Sequence, residues 1–87
     1  MEAEAALLRQ ADAARKAGDA PRALALLTEH SARFPSGVLV QEREAECVVV
    51  LCALGRASEA RTAASAFLRD WPRSPLAGRV RASCGGD

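Results

Sequence analysis

The chain is poor in aromatic residues, in lysine and in histidine, and each shortage removes a class of function. Aromatics make up 3% of the 87 residues: one Trp, two Phe and no Tyr. A nucleic-acid surface needs aromatic platforms among clustered basic residues, and no basic stretch here has them. The formal net charge is +1, so the balance does not draw the chain to a phosphate backbone, and no nucleic-acid partner is expected. Lys16 is the only lysine among the 12 Lys and Arg residues, a skew that reads as codon composition before function. The longest uninterrupted apolar run is Cys47 to Leu54. A membrane-spanning helix needs about 20 residues, so direct membrane insertion is not expected. Glu2 and Glu4 stand where the basic start of a secretory signal would be. The chain therefore reads either as cytoplasmic or as one domain of a larger protein.

Catalytic chemistry is equally thin. His30 is the only histidine. Acid–base or nucleophilic catalysis would need a nucleophile or a second carboxylate placed beside it, and Ser31 lies too close along the chain to face it. His30 is expected on a half-exposed helix surface. No catalytic residue, no metal and no cofactor is expected. Glu42 and Glu46 share a helix face four residues apart. With no histidine near them, the cluster Glu42, Arg43, Glu44 and Glu46 is expected to be a solvated face, open to a partner. The cysteines, Cys47, Cys52 and Cys84, include no CxxC pair, which removes zinc-site and thioredoxin-like readings.

What the chain has in quantity is alanine, leucine and arginine, all strong helix formers. Hydrophobic residues reach 49%, enough for one domain near the lower size limit. Breaks fall at Gly18-Asp19, Phe34-Pro35-Ser36, Gly55-Arg56 and Trp71-Pro72-Arg73-Ser74-Pro75. None of the segments between them alternates as a half-buried strand would. Helices are expected over Glu2 to Ala17, Asp19 to Phe34, Val38 to Leu54, Ala57 to Trp71 and Leu76 to Cys84. Asp19 and Ser74 serve as N-caps, and Pro21 and Pro75 occupy first turns. Helix three is apolar all round in its second half (Val48, Val49, Val50, Leu51, Cys52), so it should be central. In helix five, Leu76, Val80 and Ala82 should face inward. Gly85-Gly86-Asp87 reads as a disordered tail after a single domain over residues 1–84.

Shifted by 37 residues, the chain matches itself: Gly18 with Gly55, Ala23 with Ala60, Phe34 with Trp71, Pro35 with Pro72, Leu39 with Leu76 and Ala45 with Ala82. The glycine reverses the chain, the alanine lets two helices touch, and the aromatic plugs the end of the second helix before proline stops it. Gly55 should be left-handed, and Trp71 should be largely buried between helices four and five. At these residues the chain resembles tetratricopeptide repeats. The nearest likeness is to divergent repeats of bacterial cell-envelope proteins of the outer-membrane assembly and Tol–Pal types, carried here by Ala60 through Trp71-Pro72-Arg73-Ser74. The resemblance implies an all-α, right-handed superhelix. It would contain two antiparallel helix pairs, about 2–35 and 37–72, and a fifth capping helix at 74–84.

On position alone the cysteines stay open between three buried thiols and one bridge to Cys84, with Cys47 its equivalent one repeat earlier. Related repeat domains show Leu-Cys-x-Leu-Gly with a terminal Val-Arg-x-x-Cys, here Leu51 to Gly55 and Val80 to Cys84. That resemblance implies a Cys52–Cys84 disulfide, and a bridge implies an oxidising compartment. The resemblance also implies a concave face lined by the first helix of each pair. At matched positions this face would carry Ala5, Glu42 and Arg79, then Arg9, Glu46 and Ser83, then Asp12 and Val49. The expected function is a non-catalytic protein–protein interaction module gripping a protein or peptide. It would be an extracytoplasmic, periplasmic or envelope fragment of a larger bacterial protein, with a cytoplasmic location left open. The alternatives are a self-associating structural unit, such as a homodimer, and, more remotely, a thiol redox sensor, which would need an exposed, acidic cysteine.

Overall fold

The computed structural model describes residues 2–86. It contains α1 (Glu2–Lys16), α2 (Ala20–Arg33), α3 (Val40–Ala53), α4 (Ala57–Asp70), α5 (Ala77–Ala82) and a closing 3-10 turn (Cys84–Gly86). No strand occurs among the described residues, and the all-α expectation holds. Three-residue turns join α1 to α2 and α3 to α4, which makes each pair an antiparallel hairpin. Gly18 (φ 85°) and Gly55 (φ 74°) are the described residues with left-handed backbone, as expected for Gly55, because only glycine enters that region without strain.

The 37-residue repeat in the sequence reappears as duplicated hydrogen bonds. Gly18 N–H donates to the Arg15 carbonyl and Gly55 N–H to that of Cys52, both at 3.0 Å. Phe34 N–H donates to the His30 carbonyl and Trp71 N–H to that of Phe67, both at 2.8 Å. Asp19 caps α2, its Oδ1 accepting from Arg22 N–H at 3.2 Å. The other expected cap lies elsewhere: Ser74 Oγ accepts from Leu76 N–H at 3.1 Å, one turn ahead of α5, which starts at Ala77 without a side-chain cap.

Helix α3 is central, as its apolar second half predicts. One core on its flank joins Leu7, Ala11, Ala14, Ala20, Ala23, Leu26 and Leu27 to Val50. The other joins Ala45 and Val48 to Ala64, Phe67, Ala77 and Val80. Two inward assignments change. Ala82 is exposed and Ala77 is buried in its place. Trp71 is only half-buried, packing edge-on against Phe67 with ring centroids 5.1 Å apart; Phe67, 1% exposed, is the aromatic at the centre of that core.

The expected tail at Gly85 and Gly86 is ordered instead, while Asp87 lies outside the described residues. Ser83 is extended (ψ 172°) and ends α5, and the chain then turns back across α4. Gly85 is buried there: a Cβ would lie 2.6 Å from the Ala60 carbonyl oxygen and 3.0 Å from Val48 Cγ1. This return carries Cys84 to Cys52, and the two form a disulfide with Cα atoms 5.8 Å apart. Cys47, the positional equivalent of Cys84, stays free. It packs on the core between α2 and α3, whereas Cys52 packs on the core facing α4 and α5.

Phe67→Ala should destabilise the domain by about 3–5 kcal/mol, and Trp71→Ala by clearly less, because only Phe67 leaves an enclosed cavity. Urea unfolding midpoints of the two variants test this order. The bridge closes a loop of sequence separation 32, so reducing it should remove about 3–4 kcal/mol in the chain-entropy account. Unfolding with and without reductant, paired with intact mass before and after reduction, measures the loss and counts the thiols.

Candidate partner-binding groove

The first helices of the stack form one open groove of about 310 Å³. Helix α1 contributes Ala5, Leu8, Arg9 and Asp12; α3 contributes Glu42 and Glu46; Arg79 comes from α5, and Leu39 and Leu76 from the residues leading into α3 and α5. Of the residues read from the sequence as partner-facing, Arg9, Asp12, Glu42, Glu46 and Arg79 converge here. Val49 is half-buried and lies outside the groove lining, as does Ser83.

Glu46 sits at the base of this groove. Its side chain is 5% exposed, Oε2 accepts from Arg15 Nε, and Oε1 accepts from Arg79 Nη2 at 2.9 Å. One carboxylate thus joins α1, α3 and α5. A buried carboxylate is tolerated only with such partners. Arg15 also donates to Asp12 Oδ1 at 2.8 Å, and Lys16 pairs with the other Asp12 oxygen at 2.9 Å. The hydrogen bond from Lys16, opposed by partial burial and helped by Arg15, holds the Asp12 carboxyl below its ordinary range. The Glu46 hydrogen bond raises the Arg15 guanidinium above its own. Arg9 and Glu42 are exposed and have no ion-pair partner among the described residues.

The expectation of a solvated face over Glu42–Glu46 holds for Glu42 and in part for Glu44, whose side chain is 41% exposed, but not for Arg43 or Glu46. Arg43 is 6% exposed and Glu46 4%, because α3 is covered on both flanks and has no fully open side. His30 is also corrected: it is fully buried, with its ring centroid 5.6 Å from that of Phe34. The repeat itself held the signal, since His30 plus 37 is Phe67, and both rings lie one turn before the aromatic that precedes proline. Sequence reasoning missed the structural role of Glu4, which it met only as a charge at odds with a secretory signal. Glu4 is buried, and its Oε2 accepts from Leu39 N–H at 3.0 Å, capping α3 from another helix where Leu39 offers no cap of its own.

A second cleft, of about 460 Å³, opens between α2 and α3, lined by Leu24, Leu27, Thr28, Ser31, Ala32, Arg43, Glu44 and Cys47. Burial, and then the charge of Glu44, push the Cys47 thiol up. No cluster of three or more His, Cys, Asp or Glu suited to a metal ion occurs among the described residues. Nor is any helix there long and apolar enough to cross a membrane. No family, curated protein or solved structure matches the chain significantly.

Glu46→Ala should destabilise by about 2 kcal/mol, since it removes the charge-assisted hydrogen bonds from Arg15, which keeps Asp12, and from the more exposed Arg79. Glu42→Ala, one turn away in solvent, should stay within about 0.5 kcal/mol. Thermal unfolding of the two variants at neutral pH checks the contrast.

Proposed function

We propose that this chain is a non-catalytic, tetratricopeptide-like interaction module that holds a peptide or helix of a partner protein in the groove of α1, α3 and α5. The observation that carries the reading is the convergence of three leucines, Leu8, Leu39 and Leu76, with the unengaged charges of Arg9 and Glu42 on one open surface. Apolar walls give area, and unspent charges set orientation and partner choice. Non-catalytic use is supported by the burial of His30, which keeps its imidazole from any substrate. The redox-sensor alternative is weakened by the raised Cys47 thiol, the opposite of a reactive cysteine. Self-association has less to build on, because Val38 is the one large apolar side chain strongly exposed among the described residues. We further read the module as an extracytoplasmic part of a larger bacterial envelope or regulatory protein. The Cys52–Cys84 bridge supports that reading, since such bonds persist in oxidising compartments.

The test is selection of displayed random peptides against the immobilised, oxidised domain. Enriched peptides should lose about tenfold or more in affinity when the domain carries Arg9→Glu or Glu42→Arg, with the melting temperature unchanged and light scattering reporting a monomer. Peptides indifferent to both substitutions, or no enrichment at all, would refute the groove.

A further inference from the structure

We propose that His30 is an acid-sensitive latch: its protonation loosens the seam that holds α1 and α2 against α3. The seam is built on a buried polar triad. His30 Nδ1 lies 3.4 Å from Arg43 Nη1, and the same guanidinium donates to the Phe34 carbonyl at 3.0 Å through Nη1 and to Glu44 through Nε at 2.8 Å. A guanidinium only donates, so Nδ1 is the acceptor and the neutral ring carries its hydrogen on Nε2. That nitrogen points toward Glu4 Oε2 at 3.8 Å, too far for a hydrogen bond, and is the one buried side-chain nitrogen or oxygen without a partner among the described residues.

The added proton has one place to go, Nδ1, and there it meets Arg43. Donor would face donor and cation would face cation in a site closed to water. Relief requires Arg43 to withdraw, which breaks its bond to the Phe34 carbonyl. The charged groups facing the ring are Glu4 from α1 and Arg43 and Glu44 from α3. Helix α2 packs only on α1 and α3, so α4 and α5 bring none. Burial first and Arg43 second lower the His30 pKa, and Glu4 only partly offsets them.

The second repeat shows that the packing does not need this triad. One period on, Glu4, His30 and Arg43 correspond to Gln41, Phe67 and Val80, of which Phe67 and Val80 are fully buried and apolar. The same slot is filled by plain hydrophobes in one repeat and by a titratable set in the other.

The sign follows from linkage. Well above about pH 6.5 the ring is neutral in both states and contributes no pH dependence. Below it the unfolded or opened chain takes up a proton that the closed seam resists, so stability falls as pH falls. The experiment compares wild type, His30→Phe and His30→Gln between about pH 7.5 and about pH 5, a window that isolates histidine from the carboxylates. Melting temperature should drop over that window in wild type and stay nearly level in whichever variant folds. In wild type, hydrogen exchange corrected for intrinsic rates should lose protection at the Leu39 and Arg43 amides but not at Ala64 and Phe67. Parallel melting curves in wild type and variant, or a loss of protection spread evenly over both repeats, would overturn the latch.

Discussion

Everything in this domain leans on the burial of α3. With one Trp and two Phe, the chain lacks the large side chains that usually anchor a small core. It compensates by placing one helix between two shells of alanine, valine and leucine, so that both cores share a wall. The arrangement makes α3 indispensable and leaves little room for its polar residues. Arg43 and Glu46 are almost wholly buried, so each is met from another helix: Arg43 by His30 and the end of α2, Glu46 by Arg15 and Arg79. These contacts fix which helices lie beside α3. In a core of interchangeable small hydrophobes, that adds direction to an otherwise unspecific packing.

The helices and their turns were legible because they depend on local rules. Gly18, Gly55, Pro35 and Pro72 punctuate the chain wherever a helix must end, and the 37-residue match placed equivalent bonds in both halves. The path of the chain beyond α5 was not legible. A glycine pair after a short helix reads as fraying, and only the contact of Gly85 with the Ala60 carbonyl gives that glycine a packing reason. The disulfide partner was open on repeat position, which favoured Cys47. Cys84 lies past the end of α5, where the chain has already left the helical register that equates it with Cys47.

The groove lining was partly legible. Matched repeat positions named Arg9, Glu42, Glu46 and Arg79, while Leu39 and Leu76 were matched with each other without being placed on that face, and Leu76 was read as core. Charge type misled where burial decides. Glu4, His30, Arg43 and Glu46 look like surface residues by composition, yet all four are buried. Reading the second repeat onto the first would have exposed half of this error, since Phe67 and Val80 occupy the slots of His30 and Arg43. It would not have revealed Glu46, whose counterpart Ser83 is an extended residue at the end of α5.

The bridge between Cys52 and Cys84 also divides the molecule mechanically. Tension entering before Cys52 and leaving after Cys84 passes through the sulfur–sulfur bond and bypasses α4 and α5 entirely. Those helices carry no load while the bond is intact, and about 110 Å of extended chain is withheld from stretching. Helices α1 and α2, together with α3 as far as Cys52, take the strain alone. In the oxidised form the segment between Cys52 and Cys84 is therefore withheld from extension, and reduction releases it.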